Sequence, residues 1–146
     1  MKDSSDTQMM DDSSERSTEA DTQSRMPPDT FQGRVLPWLM NCFGATIAAD
    51  KIERNHRFIE EALELVQACG CTQSEAHQLV DYVFTRPVGQ PTQEVGGVMV
   101  TLAALCLAHG VDMHDAGEVE LERIWTKAEQ IRAKQAAKPK HSPLPM

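Results

Sequence analysis

Aromatic residues are scarce: two Trp, one Tyr and four Phe among 146 residues. Any core must therefore be aliphatic, built from Leu, Val, Ile, Ala and Met. No stretch alternates apolar and polar side chains with period two, which argues against strands. The longest uncharged apolar run, Val95 to Ala108, has 14 residues. A bilayer span needs about 20, so the run reads as a buried helix rather than a membrane anchor. The N-terminus has no apolar stretch of the secretory kind. The four cysteines (Cys42, Cys69, Cys71, Cys106) then read as reduced thiols of a cytoplasmic protein. Basic residues are also in the minority, 14 against 22 acidic ones, for a net charge of −8. A surface of that sign repels phosphate backbones and argues against nucleic-acid binding. It still admits a small phosphate ligand that arrives with a cation. A Walker-type glycine loop, a dinucleotide fingerprint and an orderable Ser-His-Asp set are all missing.

What is there is a polar tail and a helical domain. Residues 1–28 are dominated by Ser, Thr, Asp, Glu and Gln, with methionine nearly the only apolar side chain. Such a segment cannot bury enough surface to offset its chain entropy and reads as disordered. Residues 139–146, rich in proline, read as a flexible C-terminal tail. Between them, residues 29–138 carry helical punctuation. One segment spans about 31–49, weakened by Pro37 and Gly44. A second spans 50–69, with Gly70 placed to close it. Thr72-Gln73-Ser74-Glu75 is a capping-box pattern that opens a third helix reaching Phe84. A fourth covers 92–109 and stops at Gly110. A fifth follows Asp112, a good N-cap, and continues to about Ala137. The expected fold is all-α, a bundle of four to five helices.

The second segment is sharply two-faced. At about 100° per residue, Glu53, Arg57, Glu60, Glu64 and Glu61 share roughly one quadrant of the wheel. Leu65, Phe58, Ala62, Val66, Ile59 and Leu63 fill the opposite arc. An acidic strip of this kind is compatible with a solvated face. It also matches the way a helix presents oxygen ligands to a hard cation such as Mg²⁺. Glu60 and Glu64 are like charges four residues apart, which weakens a bare helix.

The fourth segment is apolar nearly all round, so it should be buried. Glu94 is its only ionisable group before His109, either a wet first-turn acid favoured by the helix dipole or a buried carboxylate that needs a partner. Gly96 and Gly97 each cost about 1 kcal/mol in a helix, which close backbone approach would offset. A domain of this size with so apolar a helix is expected to complete itself as a homo-oligomer, dimer or tetramer.

Glu60-Glu61-Ala62-Leu63-Glu64, followed by Glu94-Val95-Gly96-Gly97 and then by the basic-containing stretch Asp112 to Arg132, resembles the MazG-like all-α nucleoside-triphosphate pyrophosphohydrolases. The similarity covers roughly residues 51–134. It implies Mg²⁺, or Mn²⁺, held by carboxylates. It implies cleavage of an NTP or dNTP into monophosphate and pyrophosphate. By position, Glu61, Glu64 and Glu94 would be metal ligands and Glu60 and Glu61 catalytic. Lys127, Arg132 and Arg57 would bind substrate phosphate. The chain departs from the pattern at Gly97, where the family carries an Asp ligand. Asp81 or Asp112 could substitute, or water could fill the place. Otherwise the chain would be a catalytically impaired relative, an oligomer that binds nucleotide or a protein.

Two weaker signals remain. Cys69-Gly70-Cys71 with His77 nearby lacks the second ligand pair of a zinc site and reads more simply as a helix end and turn. Asn55 and His56 flank the acidic strip and read as surface residues.

Overall fold

The computed structural model describes residues 27–137 and 143. Among them are six helices and no strand: α1 (Phe31–Ala48), α2 (Lys51–Ala68), α3 (Gln73–Phe84), α4 (Pro91–His109), α5 (Met113–Thr126) and α6 (Ala128–Ala136). The all-α expectation therefore holds. The expected disordered and flexible tails lie almost wholly outside the described residues.

The chain divides into two compact units, Met1–Pro37 and Trp38–Met146. In the first, Thr30 starts α1. Its hydroxyl accepts from the Gly33 N–H at 3.0 Å and donates to the Pro27 carbonyl at 2.9 Å. Everything below belongs to the second unit.

The helix ends there follow local chemistry. Asp50 caps α2 by accepting from the Ile52 and Glu53 amides at 3.0 and 3.1 Å. Thr72 and Glu75 form the reciprocal capping box of α3, with the Thr72 amide donating to Glu75 at 2.8 Å. Asp112 caps α5 through the His114 and Asp115 amides, both at 2.9 Å. Those two bonds hold its carboxyl below the usual aspartate range. Asp112 is thus used as a cap, which leaves it poorly placed to replace a missing ligand.

Two features depart from the expected layout. The first is a break inside α1. Gly44 has φ 71° and ψ 169°, a region open in practice only to glycine. The break frees carbonyls of the preceding turn, and α6 supplies their donors. Arg132 Nη2 reaches the Asn41 carbonyl at 3.0 Å and the Asn41 side-chain oxygen at 3.2 Å. Its Nε reaches the Cys42 carbonyl at 3.3 Å. Cys42, 2% exposed, donates its thiol to the Ala128 carbonyl at 3.9 Å. Burial pushes that thiol's pKa up, and Arg132 opposes the shift.

The second departure is that the final helix is two helices. Lys127, at φ −110° and ψ 11°, interrupts it. The Thr126 hydroxyl donates to the Arg123 carbonyl at 2.7 Å, and the Lys127 amide donates to Ile124 at 3.1 Å. Both bonds reach back three residues, so the last turn tightens and competes with the i−4 ladder.

Apolar burial within one chain is slight. Among the described residues, Cys42 and Leu121 are the buried hydrophobic ones. The fourth helix was expected to be buried. In the single chain α4 has no buried residue, and Val100 and Leu107 are 70% and 83% exposed. The apolar face of α2 is likewise open at Phe58, Ile59 and Leu63. By length and composition alone, α4 is long and apolar enough to cross a membrane.

Gly44→Ala is expected to cost about 1–3 kcal/mol, the strain of placing a β-carbon in that backbone region. No atom lies within 4 Å of where that β-carbon would sit, so the cost is conformational rather than steric. Urea or thermal melts will measure it. A variant as stable as wild type would mean that α1 can run straight through residue 44.

Candidate functional site

The acidic strip of α2 forms with its apolar arc on the other side, as the wheel predicts, but its members have different surroundings. Glu53 is drawn between two arginines. Its Oε1 lies 3.3 Å from Arg57 Nε and 3.7 Å from Arg54 Nη2. Neither approach has hydrogen-bond alignment, so the attraction is largely coulombic. Arg54 also stacks over Phe43, 5.2 Å from the ring centroid, and Phe43 meets Trp38 edge to face at 5.6 Å. Burial pulls the Arg54 guanidinium below its ordinary pKa while Glu53 opposes that shift.

Arg57 is an ion-pair hub. It binds the Glu60 carboxylate as well as Glu53, and its Nη2 donates to the Pro143 carbonyl at 3.1 Å. An expected substrate-binding arginine is thus engaged at both ends. Its pairing with Glu60 fixes the orientation of that carboxylate.

Glu61 lies one residue on, without such a partner. Its carboxyl is held above the usual glutamate range, first by partial burial, then by Glu64, Glu60 and Glu120, with Arg123 opposing. That set brings α5 to the acidic strip. Arg123 grips Glu120 in a two-point ion pair, Nε at 2.6 Å and Nη2 at 2.5 Å. Glu120 is accordingly held below the usual range, with Lys127 contributing. Lys127 therefore acts on Glu120 but is not among the charges that act on Glu61. Arg132 does not; it is committed to the broken end of α1.

Glu60 and Glu64 also face a cavity of about 310 Å³ between α2 and the start of α3. Its wall is apolar at Leu63, Val66 and Ala76, and Gln67, Gln73 and His77 supply polar groups. That is the small end of the size range of ligand pockets. Sequence reasoning missed Gln73 as a site residue, as it did Glu120 and Arg123. The three-residue spacing of Glu120 and Arg123 on one helix face was the available signal.

Glu94 stands apart. Its side chain folds over Gly89 in the loop before α4; a β-carbon on Gly89 would collide with the Glu94 carboxylate. Glu94 is absent from the charges that act on Glu61. Gly97 has open space around it. Among the described residues no three His, Cys, Asp or Glu side chains gather as a metal-binding group. This covers Cys69, Cys71 and His77 as well as the four glutamates. The donors that one chain assembles are the α2 carboxylates, whose hard oxygens and mutual repulsion suit a divalent cation. A shell that also drew on Glu94 would need α2 and α4 brought together by more than this arrangement.

No family model, curated protein or solved structure matches this chain.

The raised Glu61 carboxyl makes a pH prediction. A carboxyl whose folded pKa exceeds its unfolded one contributes stability below the unfolded value and loses it as pH rises through the folded value. At pH 7 Glu61 is therefore a net cost. Glu61→Gln is expected to raise Tm by about 1–2 °C, because it removes a charge that partial burial, and then Glu64, Glu60 and Glu120, disfavour. The gain should vanish below about pH 4, where the wild-type carboxyl is protonated. A melt series from pH 3.5 to 8 checks this. A Tm gain that does not change with pH would mean that the glutamine packs better and that repulsion is irrelevant.

Proposed function

We propose that this chain is a divalent-cation-dependent nucleotide pyrophosphohydrolase that converts an NTP or dNTP into its monophosphate and pyrophosphate. The observation that carries the reading is the carboxylate crowd on α2. Partial burial, and then the charges of Glu64 and Glu60, hold the Glu61 carboxyl above the usual glutamate range, while Arg57 pairs with Glu60. The resemblance of Glu60-Glu61-Ala62-Leu63-Glu64 to the MazG-like motif supports it further.

In this reading Glu61 and Glu64 would hold Mg²⁺ or Mn²⁺, with water completing the shell. The bound ion would supply charge neutralisation of the triphosphate and a more acidic water. Glu60, held by Arg57, accepts the proton of the attacking water. The phosphoanhydride bond breaks, and the electron pair leaves with pyrophosphate. Arg123 and Lys127, beside Glu120, stand where cations can meet phosphate charge. The cavity between α2 and α3 offers Gln67, Gln73 and His77 to the rest of the nucleotide. Arg132 takes no part, because it caps α1.

A second reading is favoured by a specific observation: Gly97 replaces a ligand and Glu94 folds away over Gly89. The chain would then bind a nucleotide without hydrolysing it.

Pyrophosphate release from a panel of canonical and modified triphosphates, with Mg²⁺, Mn²⁺ or EDTA, separates the two. The expected result is metal-dependent release. Glu60→Gln should lower kcat roughly 10²–10⁴-fold, the range for loss of a general base. Lys127→Ala should raise KM with a smaller effect on kcat. Arg132→Ala should lower Tm and leave kcat/KM of the folded fraction unchanged. Folded protein that releases nothing across the panel, yet whose Tm rises with nucleotide, would establish the second reading.

A further inference from the structure

We infer that Cys69 and Cys71 form a reversible dithiol that closes into a disulfide across Gly70 by exchange with a low-molecular-weight disulfide. The inference stands on the turn between α2 and α3 and does not depend on catalysis.

The turn itself needs neither thiol. The Gly70 amide donates to the Gln67 carbonyl at 3.0 Å, and the Cys71 amide donates to the Val66 carbonyl at 2.9 Å. Those backbone bonds close a helix on a left-handed glycine, and Gly70 has φ 91°. The same backbone sets the spacing of the two cysteines. A left-handed residue mirrors helical geometry, so the α-carbons on either side of Gly70 stand about 5.4 Å apart. Disulfides join α-carbons roughly 4.4–6.8 Å apart. Both side chains are free, partly exposed thiols, and both line one cavity of about 580 Å³. Cys71 gives up little by turning toward Cys69: its thiol donates to the Thr72 carbonyl at 3.6 Å, and a thiol is a weak donor. The other two cysteines are placed differently. Cys42 is buried against α6, and the cavity is lined by Leu105 but not by Cys106.

The cavity admits the exchange partner, since its volume lies within the range of small-molecule sites. Glu75 and Gln78 on its wall are already engaged, by Thr72 and by Ser74. The His109 side chain, on the same wall, makes no hydrogen bond among the described residues and can accept a thiol proton. In the first step one deprotonated cysteine sulfur attacks a sulfur of the small disulfide. The S–S bond of that disulfide breaks, and one small thiol leaves with the proton. The second cysteine sulfur then attacks the sulfur now bound to the first. The mixed bond breaks, the ring closes, and the second small thiol leaves with the second proton. Two protein thiols are oxidised, and one small disulfide is reduced to two thiols. A bridge across a single residue makes a small, strained ring, which places it with the readily reduced disulfides rather than the structural ones. Cys71 also lines the cavity that Glu60 and Glu64 face, so closure draws a sulfur toward Cys69 and away from that wall.

The test equilibrates the full chain with glutathione at reduced-to-oxidised ratios spanning about four decades. Remaining thiols are blocked with N-ethylmaleimide, and the chain is cleaved after glutamate for mass spectrometry. That cleavage frees residues 65–75, which hold Cys69 and Cys71 and neither Cys42 nor Cys106. At oxidising ratios the expected peptide is two hydrogens lighter and carries no maleimide; after dithiothreitol it carries two. Cys69→Ser and Cys71→Ser should each lose the closed form and collect one glutathione on the cysteine that remains. Cys106→Ser should close as wild type does. The urea-unfolded chain, which lacks the Gly70 turn, should need a ratio roughly tenfold more oxidising, because the two sulfurs are no longer held together. A peptide that takes two maleimides at every ratio would overturn the inference. So would glutathione on both sulfurs without closure, a bond to Cys106 or to a second chain, or an unfolded chain that closes as readily as the folded one. None of these readings involves pyrophosphate release, so the catalytic proposal stands or falls separately.

Discussion

The break at Gly44 is the constraint that ties α1 to α6. A straight α1 would satisfy its own carbonyls and offer nothing to the far end of the sequence. Because the helix is interrupted, the Asn41 and Cys42 carbonyls need donors, and Arg132 delivers them from some ninety residues away. The same meeting buries Cys42 against Ala128. The interruption at Lys127 sits just before this contact, and the α6 segment that follows it is the one that meets α1. One unusual backbone conformation thus makes the need, and a short terminal helix meets it. The strain of the first is offset by charge-assisted bonds in the second.

Electrostatics divides α2 into two functional halves. Its N-terminal turns are neutralised: Glu53 lies between Arg54 and Arg57, and Arg57 extends to Glu60. Beyond Glu60 the compensation stops. Glu61 gains a like-charged neighbour in Glu120, whose own attraction for Arg123 removes much of the relief that arginine could give. A net negative chain that concentrates uncompensated carboxylates at one turn of one helix keeps a local demand for positive charge. In the proposed reading a divalent ion would meet that demand by binding two carboxylates at once.

Much of this was legible in the residues. Helix ends are local chemistry, so Asp50, Thr72-Glu75, Gly70 and Asp112 marked boundaries that the structure keeps. The two faces of α2 follow from periodicity alone. What was illegible is what depends on distant partners. Residues on both sides of Lys127 continue one helical pattern, and the break comes with the Thr126 hydroxyl and the Lys127 amide both reaching back three residues. Arg132 and Arg57 look like free cations in a sequence, because a guanidinium carries no mark of the carbonyl or carboxylate it will meet. Glu120 and Arg123 were overlooked for the same reason: their relevance comes from the charge they bring to Glu61, about sixty residues away in sequence. The site line-up of Glu60, Glu61, Glu64 and Glu94 was read as one group. In the single chain Glu94 is separate from the other three.

That separation and the exposure of α4 have one physical origin. A helix apolar on all sides cannot settle against one neighbour, and two adjacent glycines remove the side chains that would fix its distance from any partner within the chain. The N-terminal half of α4 therefore projects without cover, taking Glu94 with it. Among the described residues, twenty-one large hydrophobic side chains are exposed against two buried hydrophobic residues. At Gly97, the position that supplies no ligand is also one where a β-carbon would meet open space.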